Sequence, residues 1–273
     1  MTNKIECVAE PATTGLKHLS RIARFYDSEI DGYDNGYSTP LCQAEDEVLV
    51  HLIQDMVGSK VVDAGCGTGD FLKYFQPTEY VGFDISHQMV KTAQQKYGGT
   101  FMVADMHHLS LPNDYFDTLV SFYGPMSYSL NPQALIQEFT RVVKPGGSLI
   151  VMPYTKRSGE AQKSSILEKK VLTGDYSTAT NPNIEKVFYS TEMLKELFKG
   201  FADVRIVGIN FAANGIEYAD GILQSMLKKE PISAEFYRNY MLWELENIEE
   251  KNRPVEYARH ALVTARKPGK SEP

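Results

Sequence analysis

A carboxylate two residues ahead of three alternating glycines opens the chemistry of this chain: Asp63, then Gly65, Gly67 and Gly69, in Val61-Val62-Asp63-Ala64-Gly65-Cys66-Gly67-Thr68-Gly69. Glycine lacks a Cβ, so it enters positive φ and lets a ligand touch the backbone. The β-branched run before it reads as a buried strand, and the amphipathic stretch after it as a helix opening at about Gly69. The free N–H groups and dipole of such a helix would face the same point. A second run, Tyr80-Val81-Gly82-Phe83-Asp84-Ile85-Ser86, reads as a strand that also ends in a carboxylate. Asp84 there can accept hydrogen bonds from ribose hydroxyls, or it can cap the helix that begins near Ser86. A third, Phe101-Met102-Val103-Ala104-Asp105-Met106, ends in Asp105. The glycine spacing is G-x-G-x-G, not the G-x-G-x-x-G of dinucleotide enzymes, which weighs against a nicotinamide dehydrogenase.

Three strand-end carboxylates need a sheet to carry them side by side. Residues 117–122 read as a fourth strand. A helix ending in Arg141-Val142-Val143-Lys144-Pro145-Gly146-Gly147 feeds an apolar fifth strand at 148–151. Proline stops that helix, and glycine supplies the left-handed turn out of it. Residues 202–210 and 260–268 read as strands six and seven. Helical spacing marks 15–26, 43–56, 216–228 and 233–250, and residues 25–38 are rich in turn formers, aromatics and carboxylates. With 273 residues, 42% of them hydrophobic, the chain can build one large domain with a full core. The expectation is a single domain over 1–273, with a ligand-binding core at 45–151. Segments 1–44, 152–190 and 211–258 exceed what the crossovers require and are candidates for a lid.

The D-x-G-x-G-x-G motif at 63–69, Asp84, the Asp105-Met106 pair and the Lys144-Pro145-Gly146-Gly147 turn together resemble the class I S-adenosylmethionine (SAM) dependent methyltransferases. The resemblance covers roughly residues 45–151. It implies an α/β, Rossmann-like fold with a seven-stranded, mostly parallel sheet, strand seven antiparallel, here with helical lid insertions. It also implies SAM as cofactor and S-adenosylhomocysteine as product. By that resemblance Asp105 holds the adenine amino group and Met106 lies against the ring. Cofactor-binding residues would be Asp63, Gly65, Cys66, Gly67, Gly69, Asp84, Ile85, Met89, Asp105, Met106, Phe122 and Tyr26.

Methyl transfer from a sulfonium is an in-line displacement, so the protein must align the acceptor and exclude water. Tyr26, Tyr33, Tyr37, Tyr123 and Tyr128 could surround the sulfonium through cation–π contacts of roughly 0.5–2 kcal/mol each. Tyr37, Tyr128 and Asp175 are the catalytic candidates; Phe25, Asp27, Tyr123 and Tyr176 are the acceptor-binding ones. Of the histidines, His87, His107 and His108 follow strands near the cofactor, but on loops expected to be exposed; His18, His51 and His260 have no such placement. The lack of an evident general base favours a nitrogen acceptor, which needs less help than an alcohol. Phe25-Tyr26-Asp27-Ser28-Glu29 and Tyr33-Asp34-Asn35-Gly36-Tyr37 resemble natural-product N-methyltransferases that act on peptides. That resemblance implies dimethylation of the α-amine of an N-terminal arginine on a linear, azole-rich peptide threaded into a narrow channel. Asp27 or Asp175 would pair with its guanidinium. The alternatives are an O- or C-methyltransferase of a quinone, polyketide or other metabolite, and a non-catalytic SAM-fold scaffold.

The net charge of −7 lacks the basic patch of a nucleic-acid binder and suits a cationic or neutral small molecule or short modified peptide. No apolar run of about 18 residues predicts a membrane span, and the first residues lack a signal-peptide pattern, so a cytoplasmic protein is expected. Cys7, Cys42 and Cys66 are scattered without zinc spacing, and no metal is expected. No motif specifies an oligomeric state.

Overall fold

The computed structural model describes residues 12–155, 174–178, 181–211, 230–247 and 254–269, with only the backbone for 12–14, 174–178 and 181–183. Its centre is a seven-stranded sheet in the order β3-β2-β1-β4-β5-β9-β8. The strands are β1 (Lys60–Ala64), β2 (Glu79–Asp84), β3 (Thr100–Val103), β4 (Phe116–Ser121), β5 (Val143–Val151), β8 (Ala202–Ile209) and β9 (His260–Arg266). The first five pair in parallel, and β9 runs antiparallel to both β5 and β8. This is the sheet expected from the sequence. The order reverses between β1 and β4, which opens a crevice beyond the carboxyl ends of the strands.

Side chains alternate across a sheet, and the apolar pairs of each strand divide accordingly. Val62, Leu119, Leu149 and Val263 pack against α5 (Pro132–Val142) and α6 (Thr191–Leu197). Their neighbours Val61, Val120, Ile150 and Leu262 pack against α3 (Pro40–Ile53) and α7 (Ala234–Asn247). Helix α4 (His87–Tyr97) covers the β2–β3 end through Val90 and Ala93. Its N-cap is Ser86, whose hydroxyl accepts from the Met89 N–H at 3.1 Å. The strand β5 begins straight from α5, and the Lys144-Pro145-Gly146-Gly147 turn distorts its register with β4, Gly146 standing at φ +78°.

Several elements differ from expectation. No long helix follows Gly69, only a 3₁₀ turn over Asp70–Lys73. Pro77 and the start of β2 at Glu79 leave too little chain for more, so no helix dipole serves the glycine turn. The 25–38 stretch is not all turn: α1 (Ala12–Ser28) runs through its first residues, and α2 (Tyr33–Gly36) is one further turn of helix. The described part of the 152–190 insertion is an antiparallel hairpin of β6 (Gly174–Thr178) and β7 (Asn181–Lys186), not a helix. From the 211–258 insertion, α7 lies on α3 as part of the helix layer, with Tyr237 and Met241 in the core. The helix expected over 216–228 lies outside the described residues.

Candidate functional site

One cavity of about 440 Å³ opens over the crevice, and Asp63, Asp84 and Asp105 from the ends of β1, β2 and β3 all line it. Asp63 is buried and accepts a hydrogen bond from the Tyr80 hydroxyl at 2.8 Å. Burial pushes its carboxyl up to about 7 despite that donor. The glycine turn hangs on β2. The N–H groups of Gly65 and Cys66 donate to the Phe83 carbonyl at 2.7 and 2.9 Å. The N–H of Gly67 donates to Asp84 Oδ2 at 2.9 Å, and that of Ser86 to Oδ1 at 2.9 Å. Burial raises the Asp84 carboxyl above its ordinary value, and these N–H groups hold the rise down.

Gly65, Gly67 and Gly69 all have positive φ, at +85°, +53° and +83°. A Cβ on Gly65 would meet the ring of Pro125 at 2.3 Å, so the turn must pass bare beneath it. A Cβ on Gly67 would meet nothing, and this residue faces the cavity. Gly69 packs against Phe101 and Tyr97 and does not line the cavity. Cys66 lines it with a buried thiol, pushed up by burial. Ile85, Met89, Met106 and Phe122 supply apolar walls. Bare backbone, carboxylates with acceptor capacity remaining and flat apolar walls fit a nucleoside with a cationic tail.

Asp105 is already engaged. Burial pushes its carboxyl up, but His107 outweighs this through its N–H at 2.9 Å and Nδ1 at 2.8 Å, holding it below the usual range. His107 is half-buried and its Nε2 meets Ser129 Oγ at 2.8 Å, so it is not the exposed loop residue expected; His87 and His108 are exposed.

The mouth is tyrosine-rich. Tyr26 and Tyr128 line it with their hydroxyls 2.7 Å apart. Tyr33 and Tyr37 of the α2 region pack ring on ring at 4.9 Å, Tyr37 half exposed. Tyr123 lines the inner wall, its hydroxyl donating to Asp46 Oδ1 at 2.5 Å. Two acceptor candidates lie elsewhere. Asp27 does not line the cavity; it accepts from Ser86 Oγ at 2.6 Å and the Gln88 N–H at 3.0 Å, tying α1 to the start of α4. Phe25 packs edge-on to Tyr26 at 5.1 Å, behind the lining. The backbones of Asp175 and Tyr176 pair with Glu185 and Ile184 in the β6–β7 hairpin, and their side chains lie outside the described residues. Among the described residues, the mouth is lined from α1, α2 and α3, and no residue of α7 lines the cavity.

Sequence reasoning missed the inner end. Glu45 and Asp46 of α3, Tyr154 after β5, and Arg259 and His260 at the start of β9 all line the cavity. Glu45 is only 2% exposed, accepts from Asn210 Nδ2 at 2.5 Å and lies 3.5 Å from Arg259 Nη1. Lys186 of β7 is buried behind the lining, its ammonium 4.9 Å from the Tyr128 ring and 5.3 Å from that of Tyr154. Burial draws it down to about 8. Among the described residues no cluster of His, Cys, Asp or Glu could hold a metal ion, and no helix is long and apolar enough to cross a membrane.

Known proteins agree with this geometry. The family described as "Methyltransferase domain" matches residues 62–151. An uncharacterized protein of Methanocaldococcus jannaschii is 35% identical over 130 residues, 47% of this chain and 50% of that one. The tRNA (carboxymethyluridine(34)-5-O)-methyltransferase of Arabidopsis thaliana is 33% identical over 114 residues, 41% of this chain and 27% of that one. The chain thus spans half or less of the length of these relatives. The structure of Haemonchus contortus phosphoethanolamine N-methyltransferase 2 with S-adenosyl-L-methionine shares the fold at TM-score 0.56 and 16% identity, over 89% of this chain and 57% of that one. The match at 62–151 falls on the glycine turn and the strand-end carboxylates, so over these residues the chain carries a methyltransferase domain, and the cavity suits S-adenosylmethionine as its cofactor.

Proposed function

We propose that the whole chain methylates an amine nitrogen of a cationic natural product. The finer reading follows its resemblance to the N-methyltransferase of plantazolicin biosynthesis: the acceptor is the α-amine of an N-terminal arginine on a linear, azole-rich peptide, methylated twice. One observation carries the cationic acceptor. Seven acidic side chains line the cavity, those of Asp34, Glu45, Asp46, Asp70, Asp84, Asp105 and Asp63, the last about half protonated near pH 7, against two side chains of fixed positive charge, Lys73 and Arg259. Such a lining lowers the energy of a cation inside it and repels an anionic acceptor.

The bound cofactor supplies a methyl group on a positively charged sulfur. Gly65 and Gly67 would lie along its tail, Asp84 would accept from its ribose, and Asp105 with Met106 would hold its adenine. Tyr26, Tyr33, Tyr37 and Tyr128 narrow the mouth so that the acceptor enters end-on and water is excluded. Lys186 stands against the rings of Tyr128 and Tyr154. The aromatic cage for the acceptor therefore falls to Tyr26, Tyr33 and Tyr37 on the lid. Incubation with SAM and an acceptor panel, read by mass spectrometry, tests this. Arginine-initiated azole peptides should gain one or two methyl groups, and their N-acetylated forms none. Methylation confined to neutral phenols, quinones or carbon acids would overturn the nitrogen reading, and SAM binding without turnover of any acceptor would return the scaffold alternative.

A further inference from the structure

The inner end of the cavity holds a group that the cofactor does not need. His260 is the first residue of β9, lines the cavity, and is only 4% exposed. The antiparallel insertion of β9 beside β5 bridges it to Tyr154, so it stands just past the carboxyl end of β5, on the far side of β1 and β4 from Asp84. Its ring meets Tyr123 edge-on at 5.4 Å and Tyr154 at 6.3 Å. Its Nδ1 is buried, makes no hydrogen bond, and points toward Glu45 Oε1 at 3.8 Å. A buried polar atom left without a partner is costly and calls for a functional explanation.

We infer that His260 is the base that deprotonates the acceptor nitrogen, with Glu45 as the positioning residue that fixes its tautomer. The inference rests on the amine reading above. A carboxylate beside Nδ1 favours the proton on that nitrogen, which leaves the lone pair of Nε2 for the acceptor. The 3.8 Å separation is too long for a hydrogen bond, and catalytic contacts of this kind tighten around a substrate. The other groups around the imidazole suit this role. Arg259 pairs with Glu45, and Tyr123 is held by Asp46. Burial, with Arg259 beside it, draws the imidazole well below its ordinary pKa, which leaves its resting form neutral and also lowers its basicity, so His260 is assigned by its position and not by this shift. Tyr154 remains a neutral phenol, raised by burial. The balance closes without a co-reactant. An ammonium proton of the acceptor passes to Nε2, and the freed nitrogen pair forms the N–C bond. The C–S bond breaks with its pair going to sulfur. The product leaves as a methylammonium ion, and the proton on His260 leaves to solvent.

The first test needs no turnover. Nitrogen-15 NMR of the ligand-free protein should show His260 protonated at Nδ1 in the wild type. Glu45→Gln should give mixed tautomers and a lower His260 pKa, because a negative charge has been removed. The second reads kinetics. His260→Ala should keep SAM affinity within about twofold by calorimetry while kcat falls a hundredfold or more, the usual range for a positioned base. Added imidazoles should restore turnover, more strongly as their basicity rises, which a packing role would not produce. Should His260→Ala fail to fold, Glu45→Gln carries the test, with the acid limb of kcat/KM moved to lower pH. Wild-type-like turnover in folded His260→Ala, rescue that ignores basicity, or an unmoved acid limb in Glu45→Gln would overturn the assignment. If the wild type methylates no amine at all, the amine reading has failed instead.

Discussion

Gly65→Ala should cost far more stability than Gly67→Ala, although both residues belong to one turn and both have positive φ. A non-glycine residue in the left-handed region costs roughly 1–2 kcal/mol. Gly67 at φ +53° is close to the ideal for that region, and an added Cβ there meets open space, so about 1 kcal/mol is expected. Gly65 at φ +85° carries the same backbone cost and a second one. Its Cβ would sit 2.3 Å from both Cβ and Cγ of Pro125. A proline ring on the backbone of a 3₁₀ turn cannot swing aside, so an overpacking cost of roughly 1–3 kcal/mol is added. The total for Gly65→Ala is about 2–5 kcal/mol. Urea unfolding of both variants gives the contrast, and a cycle with Pro125→Gly isolates the clash. The double variant should recover about 1–3 kcal/mol relative to additivity. Additive losses within about 0.5 kcal/mol, or equal losses for the two alanines, would show that Pro125 does not press on the turn. The two variants should part in the opposite sense for cofactor binding, since only the Gly67 Cβ would project into open cavity.

The fold and the placing of Asp63, Asp84 and Asp105 around one cavity were legible in the sequence because their signals are local. Each of the first three strands has its carboxylate within two residues of its end, and Gly65, Gly67 and Gly69 announce a turn at positive φ. The helix expected after that turn was misread because amphipathic spacing ignores the length available. Eight residues beyond Gly69, Pro77 already closes the segment. Asp27 was misread for a related reason. In a run of turn formers a carboxylate suggests a ligand, yet its neighbours in space are Ser86 and Gln88, about sixty residues on.

The inner end of the cavity was not legible, because antiparallel insertion of the last strand assembles it from distant parts of the chain. Glu45 reads as an ordinary charge on a helix, and nothing within a few residues signals that Arg259 and Asn210 will bury it. His260 carried one usable signal. It begins the strand that this fold inserts beside β5, which places it at the carboxyl edge of the sheet, whereas His87 opens α4 and His108 lies on a loop, both exposed. The tyrosines were recognisable as a group, but only the structure separates Tyr26, Tyr33 and Tyr37 from Tyr128, whose ring adjoins Lys186.

The cofactor carboxylates and the lid give three further expectations. Asp84→Asn replaces an oxygen that accepts from the Gly67 N–H by an amide donor, or forfeits the Ser86 contact. SAM binding should weaken by roughly 1.5–3 kcal/mol, the range for hydrogen bonds to a charged group, and an unchanged dissociation constant in calorimetry would remove the residue from the site. Asp63, raised to about 7 in the folded protein, keeps its proton where the unfolded chain has lost it. Its contribution to stability therefore falls as pH rises from about 4 to 7, by about 4 kcal/mol. Asp63→Asn, which cannot ionise, should gain on the wild type over that window, and parallel urea midpoints would count against the shift. The last concerns α2, whose Asp34 accepts from Thr68 Oγ1 at 2.7 Å in the glycine turn and pairs with Lys96 at 2.8 Å. Lys96 also reaches Asp70 at 2.6 Å, so one ammonium joins the lid, the turn and α4. The pair of Lys96 and Asp34 is 27% and 40% exposed, which limits its worth to below about 1 kcal/mol. Lys96→Met should then leave the global unfolding midpoint nearly unchanged. A loss that small is still enough to raise the open fraction of a short element such as α2 several-fold. Proteolysis within residues 29–38 should accelerate accordingly, and SAM should slow it in wild type and variant alike. A lower midpoint with unaltered cleavage at 29–38 would mean that Lys96 supports the core and does not clasp the lid.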